Sequence, residues 1–309
     1  MASKLLPSRV ESILLVRLSA RGDVTFASAI IPCLRNRFPD ARIGWVVEEA
    51  SQDLVAHHPD LDEVIVLPRA RWKRIRTEQG TLAVAREVAD WLSQLRKRGY
   101  QVALDLQGLL RSGLVAYLSG APLRIGLGSK EGSRPLMTHV LPRDRGQVRR
   151  VSSEYHYLAE ALGLEPGDFP MSVYLAKEDE EGAARLVSEY GLERGFVALC
   201  PFTTRPQKHW LEEAWAALAD RIASISGHPP VFLGSPDDRT AMDRIAGLMR
   251  EPGVDLVGRT TLGEAAALVG RARGMVGVDT GLTHMSIAFQ TPTVALFGST
   301  TPYLDPPNP

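Results

Sequence analysis

Short segments of this chain carry residues whose type and spacing could do chemistry. Ser19-Ala20-Arg21-Gly22-Asp23 follows the apolar run ILLVRL (13–18) and precedes a helical pattern opening at Val24, so Asp23 stands at a strand-to-helix turn. A carboxylate there either points into a cleft as a base or caps the helix by accepting from its first amides, and the spacing supports both equally. Further on, FVALC (196–200) runs into Pro201-Phe202-Thr203-Thr204-Arg205-Pro206-Gln207-Lys208-His209-Trp210. This places two threonine hydroxyls and the Lys208 ammonium at a strand end just before a helix. Hydroxyls and loop amides can donate to phosphate oxygens, and lysine adds a point charge for a leaving pyrophosphate. The plainer reading is an exposed loop with a capping threonine. GMVGVDTGLTHMSIAF (274–289) has the pattern of a strand, an Asp279-Thr280-Gly281 turn and a helix. The unpaired amides of a helix start attract anions, and Gly281 allows a ligand close to the backbone. His284, four residues in, is either a ligand contact or a structural histidine. The last two segments together look like a cradle for a nucleotide diphosphate.

These residues need elements to hold them. Short β-branched runs alternate with helical patterns: 13–18 then 24–38, 42–47, 63–67 then 81–98, and 101–106 then 109–119. That rhythm predicts βαβ units and a parallel sheet covered by helices. It pauses between about 120 and 175, apart from a helical stretch near 151–163, and GLGSKEG (126–132) there has the wrong glycine spacing for a dinucleotide fingerprint; it is expected as a turn-rich loop. A second set follows, with strands at 196–200, 230–234, 254–258, 274–278 and 293–298 and helices at 210–225, 238–250 and 262–270. The expected class is α/β with two Rossmann-like α/β/α domains, residues 1–170 and 171–309. Ligands of such sheets bind beyond the carboxyl ends of the strands.

Composition agrees with two domains. A chain of 309 residues, 44% hydrophobic and 23% charged, is long for one core and apolar enough for two. Cys33 and Cys200 lie far apart with no Cys/His cluster, which gives neither a disulfide framework nor a zinc site, and no metal is expected. The N-terminal run lacks the length of a signal peptide, and no stretch reaches the roughly 20 apolar residues of a transmembrane helix. A cytoplasmic protein with at most peripheral membrane contact is expected. Net charge is zero, yet residues 1–170 hold 24 Lys and Arg against 19 Asp and Glu, and the remainder 12 against 17. The excess comes largely from Arg69, Arg71, Lys73, Arg74 and Arg76 around Trp72 and from Arg143, Arg145, Arg149 and Arg150. Such runs are either solvated faces or anion sites. A near-neutral chain without a nucleic-acid motif argues against nucleic acid as a partner.

In this order the segments resemble the lipopolysaccharide heptosyltransferases of glycosyltransferase family 9 across nearly the whole chain. The matching stretches are R-L-S-A-R-G-D-V (17–24), W-V-V-E-E (45–49), D-L-Q-G-L-L-R-S (105–112), T-T-R-P-Q-K-H-W (203–210), V-D-T-G-L-T-H (278–284) and F-G-S-T-T-P (297–302). The W-V-V-E-E and K-H-W versions favour the branch that adds the first heptose over the one that adds the second. The resemblance implies a GT-B fold, two Rossmann-like domains facing across a cleft. The donor, ADP-L-glycero-β-D-manno-heptose, would lie on the second domain, and the Kdo-lipid A acceptor on the first, at the cytoplasmic face of the inner membrane. It implies inverting transfer without a metal or other cofactor. The catalytic aspartate falls on Asp23 and the phosphate-binding lysine on Lys208. The remaining donor contacts fall on Thr203, Thr204, Asp279, Thr280, Gly281 and His284, and a ribose-binding carboxylate, usually Glu, on the shorter Asp238. Acceptor contacts are assigned to Ser19, Arg111, Arg134 and the basic residues Arg71, Lys73 and Arg74. Ala20 stands where a second serine is common, and the chain stops soon after F-G-S-T-T-P, where relatives continue into a helix. A second heptosyltransferase or other family-9 transferase, a nucleotide-sugar epimerase and a non-catalytic nucleotide-sugar binder are the alternatives.

Overall fold

Ser12–Val16 (SILLV) is buried at every position, as a strand covered on both faces must be, and this strand β1 is central to the first sheet. The computed structural model describes residues 5–143 and 153–298. The chain divides into two units between Tyr174 and Leu175.

In the first unit β1 is followed by helices α1 (Arg21–Ala27) and α2 (Ile30–Arg37), strands β2 (Arg42–Glu48) and β3 (Glu63–Leu67), and helices α3 (Arg69–Gln79) and α4 (Thr81–Lys97). Then come β4 (Val102–Asp105), α5 (Leu110–Leu118), β5 (Leu123–Leu127), β6 (His139–Leu141) and α6 (Ser153–Ala161). The six strands are parallel in the order β3-β2-β1-β4-β5-β6. Trp72, Trp91, Leu95, Val115 and Ala116 from α3, α4 and α5 pack on Leu14, Val16, Val46 and Ala103 of the sheet. Strand order reverses at β1, so a crevice opens between the carboxyl ends of β1 and β4. Val16 pairs with Asp105 there, and the loops leading to α1 with Asp23 and α5 with Arg111 begin near that point.

The second unit runs α7 (Lys177–Glu189), β7 (Val197–Cys200), α8 (Glu212–Ser226), β8 (Pro230–Phe232), α9 (Arg239–Leu248), β9 (Val254–Asp255), α10 (Leu262–Arg271), β10 (Gly274–Val278), α11 (Gly281–Ala288) and β11 (Thr293–Leu296). Its parallel sheet has the order β11-β10-β7-β8-β9. One core joins Ala183, Ala265 and Leu268 to it, another Trp215, Ala219, Met242 and Ile245. Local chemistry fixes the helix ends. Thr261 and Glu264 form a reciprocal capping box at the start of α10, and Gly227, at φ 66°, closes α8 in the left-handed conformation. Here the order reverses between β7 and β10, which are direct neighbours.

Several expectations are corrected. The helix after β1 opens at Arg21, three residues before Val24, and the pattern at 24–38 is two helices broken at Ser28–Ala29. The pause after residue 120 contains strands: Gly126 and Leu127 of GLGSKEG end β5, and β6 follows. The basic cluster at 69–76 lies on helix α3, and the strand expected at 254–258 shortens to two residues. Arg145, Arg149, Arg150 and the end of F-G-S-T-T-P lie outside the described residues. Cys33 and Cys200 are buried free thiols, and burial pushes Cys33 up to about 11.

Candidate active site

In the second unit the strand order brings together Lys208 and Asp279, 71 residues apart in sequence. Gly277 of β10 pairs with Cys200 of β7, so the loops leaving both strands start side by side. Lys208 closes a 3₁₀ turn, Pro206–Lys208, and its Nζ lies 2.5 Å from Asp279 Oδ2. The other carboxylate oxygen, Oδ1, is 3.0 Å from His284 Nε2. All three side chains are largely buried, which costs desolvation that only close pairing offsets. A side chain at Gly277 would collide with Thr283 Oγ1, and one at Gly298 would press on the Gln207 carbonyl, so both glycines allow the backbone to approach closely around Lys208, Asp279 and His284.

Beside it α11 begins. Thr280 is its N-cap in extended conformation and its hydroxyl makes no cap bond, and the partial positive end of the helix dipole lies at this point. Thr203 is half-buried and Thr204 exposed on the β7 loop, with the Thr203 carbonyl 2.8 Å from His209 Nε2. An ammonium carries three donors, of which Asp279 takes one. Lysine, hydroxyls and the start of a helix are thus gathered at one switch point. Asp238 ends a 3₁₀ turn after the next strand, β8, where its Oδ2 accepts from the Ser235 amide (2.8 Å) and hydroxyl (2.6 Å). The structure thus holds Asp238 in a capping box on the same sheet edge, outside the Lys208–Asp279–His284 chain.

In the first unit Asp23 is the third residue of α1, and Ala20, not Asp23, is the N-cap. Its Oδ2 lies 2.6 Å from Arg17 Nη2 and accepts from the Ala20 amide at 3.3 Å, while its side chain stays 44% exposed. Arg17, the residue after β1, is buried. Burial alone would favour the neutral guanidine, but the carboxylates of Asp23 and Glu154 and the hydrogen bond to Asp23 oppose it and keep Arg17 above its ordinary value. Asp105, fully buried at the end of β4, accepts from the amides of Gln107 (3.1 Å) and Gly108 (2.9 Å). Burial pushes its carboxyl up, against those amides and the Arg17 charge. Gln107 Oε1 accepts from the Leu18 amide at 3.0 Å and ties the two loops together. Sequence reasoning assigned no role to Arg17, Asp105 or Gln107. Their signal is an arginine and a D-x-Q-G directly at the ends of buried strands.

The acceptor residues are divided by the fold. Arg111 (2.8 Å) and Arg69 (3.3 Å) share the nearly buried Glu48, so α3 and α5 start around one carboxylate. Ser19 is half-buried in the β1 loop, joined to Ala20 by a cis peptide. Arg71 is engaged by Glu87 of α4 at 2.9 Å, whereas Lys73 and Arg74 are exposed on α3 and Arg134 on the 3₁₀ turn Arg134–Leu136.

With this geometry in hand, comparison with known proteins gives consistent matches. The model of glycosyltransferase family 9 (heptosyltransferase) matches residues 88–308. The chain is similar to lipopolysaccharide heptosyltransferase 1 of Pseudomonas aeruginosa, 29% identical over 94% of this chain and 79% of that protein. It is also similar to lipopolysaccharide heptosyltransferase 2 of Escherichia coli, 27% identical over 96% of this chain and 85% of that protein. Among solved structures, an E. coli heptosyltransferase with ADP-2-deoxy-2-fluoro heptose superposes with a TM-score of 0.72 at 24% identity, covering 94% of this chain and 90% of that one.

Proposed function

The chain belongs to glycosyltransferase family 9, and from that footing we propose that it transfers L-glycero-D-manno-heptose from ADP-heptose to the Kdo of Kdo-lipid A, with inversion and without a metal ion. It is a glycosyltransferase with the α/β architecture of the GT-B heptosyltransferases. The observation that carries the donor side is the Lys208 ammonium held by Asp279 beside the start of α11. Lys208 and the α11 amides stabilise charge as it develops on the departing pyrophosphate, with Thr203 and Thr204 donating to phosphate oxygens. Asp279 and His284 keep Lys208 in place. On the acceptor side Asp23, anchored through one oxygen to Arg17 and still open to solvent, removes the proton from a Kdo hydroxyl as that oxygen attacks the anomeric carbon. One base suffices for a single displacement.

Acceptor choice is where a second reading stands, because lipopolysaccharide heptosyltransferases 1 and 2 match this chain at nearly equal identity, 29% and 27%. The K-H-W and W-V-V-E-E residues favour Kdo-lipid A. We place the enzyme on the cytoplasmic face of the inner membrane, attached peripherally; among the described residues no helix is long and apolar enough to cross a membrane. The test is mass spectrometry of Kdo-lipid A, and separately of heptosyl-Kdo-lipid A, after incubation with ADP-heptose and protein in EDTA. One added heptose on the first acceptor alone is expected. Transfer only to the second assigns the later step, and transfer that EDTA abolishes overturns the metal-free route.

A further inference from the structure

Helix α5 presents a partly exposed apolar stripe. Leu110, Leu114 and Tyr117 are 43%, 39% and 48% exposed, and their i, i+4, i+7 spacing stacks them along one face. The opposite side, Ser112, Gly113, Val115 and Ala116, is buried against the sheet. A solvated helix puts polar side chains on its outer face. Isolated exposed apolar residues are ordinary, but a contiguous apolar row marks an interaction surface.

The surroundings of the stripe are cationic. Arg111 lies one residue, or about 100°, round the helix from Leu110. On the other flank a side chain at Gly113 would meet Ser133 and Leu136, so the 3₁₀ turn with exposed Arg134, and exposed Lys130 just before it, borders α5. The Arg124 guanidinium sits 5.3 Å from the Tyr117 ring centroid. Arg111 is paired with Glu48, which leaves Lys130 and Arg134 as exposed cations with no ion pair among the described residues beside the stripe. Aliphatic and tyrosine side chains between arginines and a lysine match the boundary of an anionic bilayer, where rings and leucines enter the acyl edge and long cations reach headgroup phosphates.

We propose that α5 docks the first unit on an anionic lipid surface through Leu110, Leu114 and Tyr117, with Arg111, Lys130 and Arg134 on lipid phosphates. Choosing lipid as the occupant rests on the lipid-linked acceptor proposed above, and the test separates the two. The full chain, without donor or acceptor, is sedimented with phosphatidylglycerol-rich or pure phosphatidylcholine vesicles. Leu114→Ser/Tyr117→Ser is compared with the parent, and kcat/KM is measured on a water-soluble, de-acylated Kdo acceptor. The parent is expected on the anionic vesicles, with partitioning about tenfold or more lower for the double variant and little change in kcat/KM on the soluble acceptor. The single Leu114→Gln variant gives the same direction should the double one unfold. Equal partitioning of parent and variants overturns the proposal. So does a concentration-dependent dimer that the same substitutions dissolve, since a second copy would then cover the stripe. Vesicle binding with the expected loss but no heptose transfer leaves the docking standing and removes the acceptor reading.

Discussion

Asp23 and Lys208 sit in different units, and each is defined by a partner of opposite charge: Arg17 for the carboxylate, Asp279 for the ammonium. Replacing Asp23 by Asn keeps the shape and removes the base. Transfer should fall by about 10²–10⁴-fold, while calorimetric binding of ADP stays within about twofold; wild-type turnover by that variant would exclude Asp23 as base. Lys208→Met should act on the donor instead. A lost charge-assisted contact is worth about 1.5–3 kcal/mol, so kcat/KM for ADP-heptose should drop by roughly ten- to a hundredfold with the acceptor KM unchanged. Unaltered donor kinetics would place the lysine outside the site. Both residues were legible in the sequence because each follows an apolar strand run. Their pairings were not, since Arg17 to Asp23 spans a loop and Lys208 to Asp279 spans three strands.

At the scale of elements, the segment leading from α6 to the second unit is pinned by His58. Its Nδ1 accepts from the Asp60 amide at 3.2 Å, its Nε2 lies 2.9 Å from Ser172 Oγ, and its ring meets Tyr174 edge-on at 4.9 Å. Burial lowers its pKa from 6.5 to about 4, with the Asp60 charge opposing. The folded state therefore binds fewer protons than the unfolded one between those values. His58 contributes stability that is fully present above pH 6.5 and is lost as pH falls towards 4, up to about 3 kcal/mol. Denaturant melts at pH 7 and pH 4.5 should show a smaller pH effect for His58→Gln than for the parent, and identical differences would refute the linkage. No short motif announces this histidine. Likewise β6, at three residues, and α3, whose arginines mask its single buried Ile75, lack the periodicity that made β1, α8 and β10 readable.

For the whole molecule, two sheets reverse their strand order at two places, and each place gathers one set of proposed reactants. ADP bound at the β7/β10 switch point should slow hydrogen exchange in peptides covering 201–209 and 279–288, while leaving 102–118 unchanged. Protection confined to the first unit would reverse the assignment of donor and acceptor. The sequence by itself determined the α/β class, the alternation that builds two Rossmann-like sets, and the strand-end positions of Asp23, Thr203, Lys208 and Asp279, because buried parallel strands must be apolar runs and polar loops must follow them. Only the tertiary structure decided which strand ends are neighbours. It set β7 beside β10 and β1 beside β4, joined Lys208 to Asp279 and Arg17 to Asp23, gathered Arg69 and Arg111 around Glu48, and left an apolar row of α5 partly exposed. Strand order follows from how crossover helices pack over both faces of a sheet, a property of the collapsed chain that no local spacing encodes.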